Sequence, residues 1–312
     1  MRHAARACIL ALLVTGCGPQ VPLAGQPVTD LKIAAEPVEI APADLTGLHL
    51  RGAWELDADH PDFGGFSGLA VTAGRLRAVT DTGWWLDTAL AQSGAGLSIA
   101  QSRFVAMTER DGTPLGKAGG DAEGVALAGD TIWISFEGDH RIMARGPDGQ
   151  LTWTIQHRAF ERLGSNKGLE ALAALPDGGL LALTEAPEAP GHPMFLLKDG
   201  QITPAHLPYV APFFVTGADI GPEGRLYVLL RHFSPLTGVQ IQIHRFAMGA
   251  DGLPQAASRE VLAHFPSQSG IDNMEAISIW RDGDGKTRLM LLSDDNFNLV
   301  QRTLLVDLEL QE

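Results

Sequence analysis

Five times along this 312-residue chain one pattern returns: a polar, often acidic residue, a small apolar strand, a tight turn, and a stronger apolar strand ending in a polar or charged group. The five stretches run from Ser67 to Asp81, Glu123 to Glu137, Glu170 to Glu185, Asp219 to Arg231 and His232, and Glu275 to Asp294 and Asp295. Their starts recur at roughly fifty residues, which leaves room for four short strands per unit, as in a propeller blade. The turns carry hairpin residues: Ala73-Gly74, Gly129-Asp130, Asp177-Gly178-Gly179, Glu223-Gly224 and Asp282-Gly283-Asp284-Gly285. No run reads as a long amphipathic helix, so an α/β fold lacks its helices. A β-sandwich leaves the repeat unexplained. The expected fold is an all-β propeller of five blades, or six if one blade is degenerate. The run Leu48 to Leu56 is expected to pair with Leu299 to Leu310 and close the ring.

A hairpin returns the chain to its start, so its first and last residues lie about 5 Å apart. If these hairpins are the innermost strands, their polar ends meet around the central channel. Several carboxylates crowded there repel one another, and a divalent cation removes the conflict. The ligands expected are Glu123, Glu170 and Glu275, with Asp81, Glu137 and Asp294 beside them. Oxygen donors without cysteine favour Ca²⁺, then Mg²⁺ or Mn²⁺. The alternative is that the acids cap strand ends or pair with Arg and Lys. Asp282 to Lys286 lacks the full calcium-loop pattern and reads as a hairpin turn. Lys167, Arg141, Arg231 and His232 lie close to the acids in sequence, and a cation with fixed basic groups suits a small anionic ester. Trp84 and Trp85 fit either the channel mouth or the core. Gly65 to Leu69 falls one glycine short of a nucleophile elbow, and neither a phosphate-cradling loop nor a paired-histidine zinc motif occurs.

The N-terminus carries an address. Arg2 and Arg6 precede an apolar run, Ala7 to Val14, which is too short to span a membrane. Gly16-Cys17 then resembles a bacterial lipobox, with an ordinary signal peptide cut elsewhere as the alternative. The expected organisation is a signal peptide over 1–16, lipidated Cys17 with a tether to 44, and the propeller over 45–312. Cys8 and Cys17 are the two cysteines, so the folded part has no disulfide. Gly18 in place of aspartate points to the periplasmic face of an outer membrane. The formal charge of −14 excludes nucleic acid and speaks against an anionic membrane surface, leaving the lipid as the membrane contact.

Phe66-Ser67-Gly68-Leu69 with Val79 to Gly83, Glu123 to Ala126, Asn166 to Glu170 and Asn273 to Ala276 resemble the bacterial phytase-like domain family, described as esterase-like activity of phytase. The likeness spans Gly47 to Leu310. It implies a propeller and phosphoester hydrolysis, with metal assistance by analogy to calcium-dependent propeller phytases, whose dense aspartate runs are missing here. On that reading Glu123, Glu170 and Glu275 hold the metal, Lys167 and Arg231 steady developing negative charge, and His232 shuttles a proton. A calcium-dependent lactonase and a lipid-anchored binding or assembly platform are the rival functions.

Overall fold

A computed structural model describes residues 28–41, 43–93, 96–109, 111–146, 151–164 and 168–311. Five antiparallel sheets surround one axis. Blade 1 runs outward through Phe66–Thr72, Arg75–Thr80, Trp84–Ser93 and Gly96–Ala106, and blade 2 through Ala122–Ala128, Thr131–Phe136, Arg141–Arg145 and Leu151–Ile155. Blade 3 comprises Ala171–Ala174, Leu180–Leu183, Gly191–Lys198 and Gln201–Pro208. Blade 4 comprises Phe214–Ile220, Leu226–Ser234, Gly238–Phe246 and Glu260–Phe265, with Asp44–Leu45 at its edge. Blade 5 takes Met274–Arg281, Thr287–Ser293 and Leu304–Leu310 from the C-terminal end and Leu48–Ala58 from the N-terminal end. Leu310 pairs with Leu48 and Leu304 with Glu55, so the ring is closed by the expected strand exchange.

The tether expected up to residue 44, with its end near Glu36 to Ile40 joining the fold, gives way to sheet from Val28 onward. Val28–Thr29 pairs with the outer strand of blade 1, and Ile33–Pro37 adds an edge strand to blade 5. Pro37 ends the strand Ile33–Pro37, whose side chains are at most half-buried, and both fit an edge, where one side of the strand needs no ladder partner.

Each gap between neighbouring blades holds one apolar cluster, five in all. Inner strands are therefore covered on both faces, which explains why Leu180-Leu-Ala-Leu183 and Leu289-Met-Leu-Leu292 are buried without alternation. An outer strand such as Gln201–Pro208 alternates toward solvent instead.

Five blades close tightly. The channel lined by Leu69, Val125, Leu172, Ala218 and Ile277 has a volume of only about 10 Å³, room for one water at most. Small residues make the approach possible. A Cβ on Gly68 would lie 2.6 Å from Val125 Cγ2 and 2.8 Å from the Glu123 carbonyl oxygen, and one on Gly124 would lie 2.7 Å from the Leu172 nitrogen. Gly124→Ala is therefore expected to push blade 2 off blade 3 at a cost of about 1–3 kcal/mol. A urea midpoint unchanged by that substitution would mean that the blades have slack at the axis.

Candidate functional site

The innermost strands are irregular at one end. Register shifts fall at Ser67, at Glu123 and Gly124, at Thr216 and at Glu275, and Glu170 immediately precedes the inner strand of blade 3. Each shift adds a residue and re-aims a side chain. Ser67, Glu123, Glu170, Thr216 and Glu275 thus hold equivalent places at the channel mouth, each followed by Gly or Ala. Two of these places stitch blades together. The Ser67 hydroxyl donates to the Ala122 carbonyl, and Thr216 Oγ1 donates to the Met274 carbonyl at 3.0 Å.

Asp219, expected to open the fourth repeat, is three residues out of register. It pairs with Tyr227 near the turn end of its hairpin, away from the mouth. There its carboxylate accepts the Ile279 N–H at 2.7 Å and binds blade 4 to blade 5. Burial pushes its pKa up to about 7, against the hydrogen bonds from Ile279, Ile220 and Ser278.

At the mouth, one half of the acid ring is neutralised. Arg231 Nη1 donates to Glu275 Oε1 and to Asn273 Oδ1, while Nη2 donates to Glu185 Oε1 at 3.0 Å. Asn273 Nδ2 adds a 2.9 Å bond to Glu275 Oε1. Glu275 is 14% exposed in this acidic mouth, a cup ringed by carboxylates. Burial pushes it up to about 8; Arg231 opposes that rise, and Asp294 and Glu185 add to it. Burial alone would lower the Arg231 pKa, but Glu275, Glu185 and Glu170 raise it above the ordinary guanidinium value. Glu170 is raised well above a free glutamate by burial and by Glu185, Glu137 and Glu275, with Arg231 opposing.

Among the described residues the other half has no cation paired to it in this way. Carboxylate oxygens of Asp121, Glu123 and Glu137 lie within 4.8 Å of one another, and none of the three makes an ion pair among the described residues. Burial, then Glu170, Asp121, Glu275 and Glu137, raise Glu123 strongly. Burial also raises Asp121, against Lys117 of the short helix Gly116–Gly119. Glu137 is raised by burial despite accepting the Gly168 N–H at 2.9 Å. Next to them, Asp81 is pushed up to about 6 by burial; Lys117 opposes, and Asp121 and Asp295 add. Its Oδ1 is buried without a hydrogen-bond partner. An orphaned carboxylate oxygen beside three crowded carboxylates fits a hard cation, whose ligand oxygens at about 2.3–2.6 Å from the ion sit a few ångströms apart.

A model of the phytase-like family, esterase-like activity of phytase, matches residues 61–297. The chain belongs to this family. No curated protein sequence matches it. Among solved structures, a putative gluconolactonase is 14% identical over 88% of this chain and 92% of its own, with a TM-score of 0.46. Glutaminyl cyclase of Myxococcus xanthus is 14% identical over 85% of this chain and 97% of its own, with a TM-score of 0.49. The PQQ-bound aldose sugar dehydrogenase of Streptomyces coelicolor is 14% identical over 90% and 99%, with a TM-score of 0.43. Likenesses this distant carry no argument about activity.

In this phytase-like chain the expected ligands divide into two groups. Glu123 and Glu137 stand in the trio that makes no described ion pair, with Asp81 beside them, whereas Glu275 is taken by Arg231 and Asn273. Asp294 accepts the Asn296 N–H at 2.6 Å and is pushed to about 7 by burial; that bond and Arg231 oppose the rise, and Asp81 and Asp295 add to it. Glu170 lies between the halves. His232 is not part of the cup. Successive side chains on a strand face opposite ways, so with Arg231 turned to the acids His232 turns away, edge-on to Phe213 at 5.8 Å. Arg141 braces the rim instead: its guanidinium lies 4.4 Å over Phe136 and donates to the Gly119 carbonyl. Trp84 and Trp85 are core, Trp84 stacking on Phe104 at 4.8 Å. Asp282 closes a plain hairpin turn by accepting the Asp284 and Lys286 N–H groups. Lys167 and Cys17 lie outside the described residues.

Asp121, Asn273 and Lys117 were missed. Asp121 had a signal, for it stands two residues before Glu123 and a strand repeats its face every second residue. Lys117 had none, because a loop and a short helix bring it to the cup.

Proposed function

We propose that this phytase-like protein hydrolyses phosphoesters or related esters in the acidic cup, using a divalent cation held by Asp121, Glu123 and Glu137 with Asp81 in support. The observation that carries this reading is a carboxylate trio that makes no ion pair among the described residues, beside a half-ring that Arg231 neutralises. An all-oxygen donor set favours Ca²⁺, with Mg²⁺ or Mn²⁺ as substitutes. Such a cation supplies Lewis-acid polarisation of the ester oxygen.

The side chains have separable parts. Arg231, fixed by two carboxylates, offers its field to an anionic substrate without needing to reorganise. Lys117 adds positive charge on the opposite rim near Asp81 and Asp121. Glu170 retains a proton to higher pH than a free glutamate, which suits it to protonate a leaving oxygen. The nearly closed channel beneath leaves the cup open at one end only. A lactone is the rival substrate, and a panel of lactones and phosphoesters separates the two. Lipidation at Cys17 and a place on the periplasmic face of the outer membrane belong to the same proposal, as does a small anionic ester as partner.

The test is a calcium titration of chelator-treated protein beginning at Gly18, followed by thermal unfolding. A ligand bound only by the folded state stabilises it by about 2.7 kcal/mol at a hundredfold excess over Kd. A saturable rise is expected, lost in Glu123→Gln. No rise with calcium, magnesium or manganese would remove the metal-hydrolase reading and leave a non-catalytic binding platform.

A further inference from the structure

Eight large apolar side chains stand exposed among the described residues, and six of them lie at the end of the propeller that carries the cup. Phe233 and Leu236 flank the turn between the second and third strands of blade 4. Phe297, Leu299 and Val300 lie in the loop between Thr287–Ser293 and Leu304–Leu310 of blade 5. Tyr209 follows the last strand of blade 3. The strand directions fix this placement, since the same ends of those strands bear Arg231 and Asp294. Trp153 and Val261, the remaining two, sit on outermost strands away from this rim.

Leu236 is 96% exposed, Leu299 104% and Val300 83%, so these side chains project clear of the surface. They stand on three loops of blades 3, 4 and 5, along one side of the acidic mouth. The group reaches the cup itself, because Phe297 and Asp81 are the atoms that a Cβ on Gly65 would strike.

Chain entry points the same way. Val28 pairs with Phe104, two residues from the cup-side end of Gly96–Ala106, and the strand runs downward from there. Val28 is therefore the cup-side end of its strand. The ten residues 18–27 between Cys17 and Val28 span at most about 40 Å. A lipid on Cys17 would be attached nearest the cup end, which favours that end facing a bilayer.

We propose that the cup end is a docking surface for a neutral lipid bilayer, with Tyr209, Phe233, Leu236, Phe297, Leu299 and Val300 entering the interface beside the cup. Neutral lipid follows from the formal charge of −14 and the acidic cup, which repel an anionic surface. Docking in this orientation opens the cup onto the headgroups, and it stands whether or not the cup is catalytic.

The test is flotation with phosphatidylcholine vesicles, using protein that begins at Gly18. That form lacks the lipidated cysteine but keeps every described strand. Wild type is expected to partition at least about tenfold more strongly than the triple variant L236S/L299S/V300S, since apolar area entering the interface sets the affinity. Trp153→Ser, a change at an exposed aromatic off the rim, should float like wild type. The three serines replace side chains with few packing partners, and an unchanged melting temperature will verify the fold; Leu236→Ser alone serves if it shifts. Wild type that stays unbound, or a triple variant that floats equally, overturns the proposal. So does self-association abolished by the three serines without flotation, which would make the rim a contact between copies of the chain.

Discussion

Replacing Arg231 with alanine is expected to cost about 3–5 kcal/mol of folding stability at pH 8, because it strands enclosed carboxylates without their cation. Arg231 spans Glu275, Asn273 and Glu185, and its charge also opposes the rise of Glu170 and Asp294. No other described cation forms an ion pair with Glu275 or Glu185. Lysine would hold one carboxylate and release the other, since it lacks the planar fork, so Arg231→Lys should fall between wild type and alanine. The loss should shrink at pH 5, where Glu275, already pushed to about 8 with Arg231 present, is protonated and needs no partner. Arg231→Met combined with Glu275→Gln should recover much of the stability by removing both charges together. Urea midpoints at the two pH values measure all of this. A loss under about 1 kcal/mol at pH 8 would mean that water screens the cup as it does a surface ion pair.

The fold was largely legible because each blade spends its sequence on two inner strands that neighbours cover on both faces. That burial writes the same apolar hairpin five times, and the turn glycines punctuate it. Ring closure was legible for a related reason: Leu48–Ala58 and Leu304–Leu310 are strand-like runs at opposite ends of the chain, each needing a partner. The site was less legible. In blade 4 the mouth residue is Thr216, and the more conspicuous Asp219 drew attention three residues too far. The better marker was the small residue that follows, since Gly68, Gly124, Ala171, Gly217 and Ala276 all sit where blades nearly touch. His232 failed on alternation, a rule available from sequence once Arg231 had been assigned inward. Which acids would be neutralised was hidden, because Arg231 reaches Glu185 of the preceding blade and Glu275 of the following one. That choice is made by tertiary geometry alone.

Without metal, the protein should grow less stable as pH rises from 5 to 8, and calcium should reverse that trend. In the unfolded chain carboxyls titrate near pH 4. In the fold, Glu275 holds its proton to about pH 8, Asp294 to about 7 and Asp81 to about 6, with burial the leading cause in each. Between those limits the folded state binds more protons than the unfolded one, so stability is highest at the acid end and is lost as pH climbs toward each folded value. Each group left protonated contributes about 1.4 kcal/mol per pH unit, less whatever water in the cup screens. Asp219, at about 7, adds to the same slope from the other end of the hairpin, but it is far from the trio and should ignore calcium. Calcium needs Asp121, Glu123 and Glu137 deprotonated, so its binding competes with protons and tightens as pH rises. The rise in melting temperature on adding calcium should therefore be small at pH 5 and large at pH 8. Glu123→Gln should abolish that rise and also flatten the metal-free slope, because it removes one of the raised carboxyls that produce the slope. A melting grid over pH with and without calcium separates the terms. An increment equal at every pH would place calcium on ordinary surface acids, where carboxylates are already ionised at pH 5, and not among the raised carboxyls of the cup.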